Sequence, residues 1–194
     1  MSVASKPERV INMRRSETEN STVLVCLQRR RPGIRPTYVF KLHAFDQPFL
    51  ELYRYPIAEK ILVGDARSSP STSDIRLTMG GKEYTLTTDA NNNSFGLEGC
   101  DEGELRWLKS SDPTNRELEL VDHTGRLLAR LKVSRFEQKR LELYAECTDN
   151  LLALMLLSGL VVVDAIFQRI PLHWKGEAKV ILSSPGKGGI QAPR

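Results

Sequence analysis

The stretch Asp149-Asn-Leu-Leu-Ala-Leu-Met-Leu-Leu-Ser-Gly-Leu-Val-Val-Val163, continuing through Asp164-Ala-Ile-Phe-Gln-Arg169, decides how this chain of 194 residues folds. From Leu151 to Val163 it runs 13 residues without a charge. Asp149 is placed to cap a helix, Arg169 suits a last turn and Pro171 follows, so a helix over 149–169 is expected. Its length would be roughly 30 Å. A helix that spans a bilayer needs about 20 apolar residues, whereas runs of about 10–14 belong more often to buried core helices. Asp164 would also be costly in hydrocarbon. A helix apolar on every face must then be surrounded by protein.

The surrounding material lies upstream. Short apolar or alternating runs recur at Val23–Gln28, Tyr38–His43, Phe49–Tyr55, Lys60–Gly64, Ile75–Met79 and Tyr84–Thr88. They continue at Ser94–Glu98, Glu104–Lys109, Glu117–Val121, Leu127–Val133 and Leu141–Ala145. Turn signals separate them: Gly80-Gly81, Asp89–Asn93, Asp112-Pro113 and Asp122–Gly125. Arg116-Glu-Leu-Glu-Leu-Val121 and Arg140-Leu-Glu-Leu-Tyr144 alternate with the period of a strand. No helical pattern of crossover length falls between the runs, which argues against a parallel α/β fold. The expectation is a mainly β domain, an antiparallel sheet, sandwich or barrel, enclosing the helix. Residues 1–20 are expected to be a flexible lead-in, 21–182 the domain and 183–194 a flexible tail. Residues 178–182 are either one more strand or part of that tail.

Composition sets the outer bounds. With 40% hydrophobic and 27% charged residues the chain is ordinary globular material. Cys26, Cys100 and Cys147 are an odd, scattered set, which argues against a disulfide framework or a zinc knuckle. The first residues are too polar for a secretory signal, so an intracellular, cytoplasmic location or a peripheral one at the membrane is expected. The formal net charge of +4 hides a polarity: residues 1–60 carry +5, 61–125 carry −6 and 126–194 carry +5. Basic flanks around an acidic middle favour anionic partners.

In its order of segments the chain resembles the tubby C-terminal-like superfamily, which includes the LURP-one-related proteins and the phospholipid scramblases; the nearest resemblance is to uncharacterised fungal members. The residues that carry it are Glu104-Leu-Arg-Trp107, Glu119-Leu-Val-Asp122 with Gly125, Leu127-Leu-Ala-Arg-Leu131 and Leu141-Glu-Leu-Tyr144, followed by the Leu151–Val163 helix. The resemblance is best over residues 80–170. It implies a closed antiparallel β-barrel of about 11–12 strands around a central hydrophobic C-terminal α-helix. It further implies binding of anionic membrane lipid, in tubby proteins phosphoinositide, at a basic surface.

The candidate site residues are accordingly basic. Arg29, Arg30, Arg31 and Arg35 form one cluster in an expected turn; Arg130, Lys132, Arg135, Lys139 and Arg140 form another. By the period of two, Arg130 and Lys132 share one strand face and Leu131 and Val133 the other. Such a face can offer charge-assisted bonds to phosphate oxygens. No catalytic constellation, dinucleotide fingerprint or metal-ligand spacing accompanies them: His43, His123 and His173 are far apart, His43 and His123 read as solvated, and Asp101, Glu102 and Glu104 as a solvated turn. The chain is therefore expected to be a non-enzymatic monomer without cofactor or nucleic-acid partner. The alternatives are an intracellular scaffold, presenting residues 29–35 and 96–103 to a protein partner, and a scramblase-like membrane-associated protein.

Overall fold

The computed structural model describes residues 6–15, 23–27, 37–43, 47–54, 61–69, 74–89, 94–101, 103–110, 116–134 and 139–167. The expected tail, the possible strand at 178–182 and the helix end at Arg169 lie outside the described residues.

Among the described residues the fold is mainly β: twelve antiparallel strands in one sheet and one helix after them. The strands are β1 (Arg9–Arg15), β2 (Val23–Leu27), β3 (Tyr38–Leu42), β4 (Leu50–Arg54), β5 (Leu62–Ser68) and β6 (Ile75–Met79). They continue with β7 (Lys82–Thr88), β8 (Ser94–Glu98), β9 (Leu105–Lys109), β10 (Glu117–Val121), β11 (Leu127–Val133) and β12 (Lys139–Leu143). The helix α1 spans Asp149–Phe167. Consecutive strands pair throughout, and β1 pairs with β12 along one side (Ile11↔Leu141) and with β2 along the other (Met13↔Cys26). Strand β1 thus has a neighbour on both sides, and its backbone groups are taken up in ladders.

The connections divide between the two ends of this sheet. The registers put the β2–β3, β4–β5, β6–β7, β8–β9 and β10–β11 connections at the end where β12 leads into α1. The β11–β12 hairpin lies at the opposite end, with the β3–β4 and β5–β6 connections. Strands of five to seven residues separate the two ends by roughly 17–23 Å.

Eleven of the twelve strands fall on runs expected from sequence. The exception corrects the expected lead-in over 1–20: Arg9–Arg15 form β1. Ile11 and Met13 of that strand enter the core, and the arginines around them in sequence mask the alternation. Strand β5 likewise runs on past Gly64 to Ser68, because its inward positions Gly64 and Ala66 are small and carry no hydrophobic signal. Asp149 is not the cap. Thr148 caps α1: the Leu151 N–H donates to Thr148 Oγ1 at 3.2 Å and the Leu152 N–H to the Thr148 carbonyl at 2.9 Å. A β-branched hydroxyl at that position accepts the orphan amide, and Asp149 occupies the first turn, where the helix dipole favours its charge.

Every residue from Leu152 to Asp164 is buried. Alternate positions of the strands face α1: Leu52, Leu77, Leu97, Leu105, Trp107, Leu118 and Leu120 are all fully buried. Two close approaches fix where the helix sits. A Cβ on Gly64 of β5 would lie 2.5 Å from Met79 Cγ, 2.6 Å from the Thr78 carbonyl oxygen and 3.4 Å from Leu157 Cδ2. A Cβ on Gly159 of α1 would lie 3.0 Å from Leu131 Cδ2 on β11 and 3.1 Å from Trp107 Cζ2. Strands β5 and β11 are six places apart in an order of twelve, so the helix is gripped from opposite sides. Between these contacts one buried polar link sets the axial position. The Trp107 indole N–H donates to Ser158 Oγ at 3.0 Å, and that hydroxyl donates to the Leu154 carbonyl at 2.7 Å. Trp107, expected to pack in the wall or core, does so with its one polar atom satisfied.

Three substitutions test this packing. Gly64→Ala is expected to cost about 3 kcal/mol, because one obstacle is backbone and cannot turn away. Gly80→Ala, at φ +56° in the β6–β7 turn with open space around it, is expected to cost only about 1 kcal/mol. Ser158→Ala is expected to cost about 1–3 kcal/mol by stranding the indole N–H in the core. Urea unfolding of the three variants checks the ranking; equal effects of the two glycine substitutions would contradict it.

Candidate functional site

The second basic cluster sits on the outer wall of β10, β11 and β12. The register aligns Glu119, Arg130 and Glu142 in one row across the three strands, and Glu117, Lys132 and Arg140 in the next. Arg130 Nη2 and Nε donate to Glu119 Oε1 at 2.7 and 3.0 Å. Its guanidinium lies 5.5 Å from the centre of the Tyr144 ring. Lys132 Nζ stands 3.2 Å from Glu142 Oε2 and 3.8 Å from Glu117 Oε1. Arg140 Nη2 stands 3.0 Å from Glu142 Oε1, and the Tyr144 hydroxyl donates to Glu142 Oε2 at 2.8 Å. Arg130 and Lys132 do share the outward face while Leu131 and Val133 are buried.

The structure therefore gathers Arg130, Lys132 and Arg140, but interleaves them with three carboxylates that balance their charge. A phosphate arriving here would have to displace Glu119 or Glu142. The Glu142 side chain is only 5% exposed. Burial pushes its carboxyl upward, but the hydrogen bonds from Tyr144 and Lys132 and the charges of Lys132 and Arg140 outweigh that and hold it below the ordinary carboxylate range. Burial and the hydrogen bond to Glu142 raise the Tyr144 hydroxyl in turn.

The other candidates are dispersed. Lys139 pairs with Met13 and Val133 in the inward-facing row, at the end of the sheet remote from the start of α1. Arg135 and Arg29, Arg30, Arg31 and Arg35 lie outside the described residues. The strands that residues 28–36 join, β2 and β3, meet at the end where α1 begins, whereas the β11–β12 connection bearing Arg135 is at the other end. The two basic segments are thus attached to opposite ends of the sheet.

Sequence reasoning missed the carboxylate half of the outer wall: Glu117, Glu119 and Glu142, with Tyr144. The signal was present in the alternation Glu117-Leu-Glu119-Leu, which puts both glutamates on one face; the β10–β11 register was needed to set them opposite Lys132 and Arg130. A second outer-wall group joins β3, β4 and β5. His43 Nε2 lies 2.7 Å from Glu51 Oε2, Lys41 Nζ lies 5.1 Å from the Tyr53 ring centre, and Arg67 Nε donates to Asp65 Oδ1 at 2.9 Å. His43, expected to be solvated, is partly exposed and bonded to Glu51. The acidic turn is engaged as well, Asp101 with Lys82 and Glu104 with Arg106. Among the described residues no three His, Cys, Asp or Glu side chains gather as metal ligands.

Because the Glu142 carboxyl is held low in the folded state, its contribution is complete at neutral pH and disappears as pH falls through the folded-state value. Glu142→Gln is expected to cost about 1–2 kcal/mol at pH 7. The difference from the parent should be smaller at pH 3 than at pH 7. Urea titrations at both pH values check it; a difference independent of pH would contradict the assignment.

Comparison with known proteins returns no match: no family model fits the chain, and neither a curated protein nor a solved structure is similar to it.

Proposed function

We propose that the chain is a non-enzymatic module of the tubby-like kind, a barrel of strands closed through β1 around α1, that binds anionic membrane lipid through basic residues. The observation that carries the lipid reading is a charge asymmetry in the sequence. Between Glu19 and Asp46 no acidic residue occurs, while Arg29, Arg30, Arg31, Arg35 and Lys41 do. Unlike Arg130, Lys132 and Arg140, which have glutamates opposite them in register, the four arginines have no carboxylate within ten residues before Arg29 or after Arg35 other than at that outer limit (Glu19). Clusters of this kind are attracted to anionic leaflets by about 1 kcal/mol per residue. The lipid contact is therefore assigned to Arg29–Arg35, with the β10–β12 wall as a structural ion-pair array.

Peripheral attachment is favoured over insertion. The segment Asp149–Ile166 is long and apolar enough to cross a membrane, yet 72% of it is buried inside the fold. Withdrawing it would expose the whole inward face of the strands to water.

Co-sedimentation with vesicles tests the reading. The protein is expected to bind phosphatidylcholine vesicles containing a phosphoinositide or phosphatidylserine, to ignore pure phosphatidylcholine, and to release as salt rises. Replacing Arg29, Arg30 and Arg31 together by Ala should weaken binding about a hundredfold, from roughly 1 kcal/mol per charge. Equal binding to neutral and anionic vesicles, or none to either, would overturn it.

A further inference from the structure

The tetrapeptide Leu-Glu-Leu-Tyr occurs twice, at 50–53 in β4 and at 141–144 at the end of β12. Its surroundings repeat as well. In register, Lys41 of β3 faces Glu51, and Arg130 of β11 faces Glu142. Lys41 Nζ lies 5.1 Å from the Tyr53 ring centre, and the Arg130 guanidinium 5.5 Å from that of Tyr144. Two residues after each of these cations, His43 Nε2 stands 2.7 Å from Glu51 Oε2 and Lys132 Nζ 3.2 Å from Glu142 Oε2. Burial and the hydrogen bond to its glutamate raise the tyrosine hydroxyl in both places. Each strand pair thus carries the same outward clasp: a glutamate bonded to the tyrosine two residues on and to a nitrogen of the preceding strand, with a cation over the ring. Glu142 has Arg140 as a further partner at 3.0 Å. The two clasps differ in one chemical respect. Lysine is charged throughout the neutral range, whereas histidine gains or loses its charge between about pH 5 and 8.

We infer that the β3–β4 clasp is a proton-dependent version of the β11–β12 clasp: His43 and Glu51 form an ion pair when the imidazole is protonated and keep only a hydrogen bond when it is neutral. The groups facing His43 are few. Lys41 shares its strand face, Glu51 and Tyr53 project from β4, and Asp65 and Arg67 from β5. The described residues of β2, Val23–Leu27, carry no charge. Asp65 is taken up by Arg67 at 2.9 Å, which leaves Glu51 as the carboxylate that answers His43. Lys41 and Arg67 balance Glu51 and Asp65, so the wall of β3–β5 is neutral with a neutral imidazole and gains one positive charge with its proton. The pair is stronger with the proton on, so its contribution is present at low pH and fades as pH rises and the imidazole discharges. This device is independent of the lipid reading above.

Urea unfolding of the full chain at about pH 5.5 and about pH 8, chosen to bracket the histidine range, tests the device. His43→Lys, which makes the first clasp like the second, should share the parent's midpoint at the lower pH and unfold about 0.3 M above it at the higher. In a Glu51→Gln background the same substitution should shift the midpoint equally at both pH values. Lys132→His should do the reverse of His43→Lys, falling further below the parent at the higher pH than at the lower. Both positions are partly exposed, His43 at 32% and Lys132 at 38%, so neither substitution opens a cavity. A His43→Lys shift that is the same at both pH values, or one whose pH dependence survives Glu51→Gln, would overturn the proton-dependent pair. A Lys132→His shift indifferent to pH would overturn the equivalence of the two clasps.

Discussion

A helix this apolar cannot be left in water, and everything else in the molecule follows from how it is dried. The strands bury all residues from Leu152 to Asp164, and the hydrophobic gain of that burial is the main term holding sheet and helix together. The enclosure is tight rather than generous. At Gly64 a single methyl group would collide with β6, and at Gly159 it would crowd Leu131 and Trp107. Interiors packed at crystal-like density transmit such collisions instead of absorbing them. The Trp107–Ser158 hydrogen bond then adds what hydrophobic burial lacks, a preferred register of the rod along its axis. A helix greasy on all sides has little else to stop it sliding or turning.

The outer surface obeys a different rule. Side chains facing away from the helix on β10, β11 and β12 interleave three cations with three carboxylates, and the pairs His43–Glu51 and Arg67–Asp65 add to them on the side of β3, β4 and β5. Cross-strand pairs of this type contribute a few tenths to one kcal/mol each. Glu142 stands apart, being nearly buried and held by three partners. Walls of this kind are electrostatically self-contained, which directs attention to the ends of the sheet when a binding surface is sought. The two ends are chemically unequal, since one carries the start of α1, the exposed Ile61–Leu62 pair and the strands flanking Arg29–Arg35, and the other the β11–β12 hairpin.

Much of this architecture was legible in the sequence because its two periods are clean. Thirteen uncharged residues in a row announce a wholly buried helix, and runs such as Glu117–Val121 announce half-buried strands. Legibility failed where inward positions are small or flanked by charge. In β1 two core residues sit among three arginines, and in β5 the inward residues are Gly64 and Ala66. The candidate surface was half legible. Periodicity put Arg130 and Lys132 on one face, but a single strand says nothing of its neighbour. Only the β10–β11 and β11–β12 registers bring Glu117, Glu119 and Glu142 against them. Pairing across strands is a long-range property, and no local pattern encodes it.

Amide hydrogen exchange of α1 in detergent-free buffer measures the central claim most directly. If the strands enclose the helix, the amides from Leu156 to Asp164 exchange only through global unfolding, so their opening free energy equals the unfolding free energy measured by urea. Exchange of those amides at rates typical of a solvated helix, or a chain that needs detergent to acquire any protection there, would contradict the account.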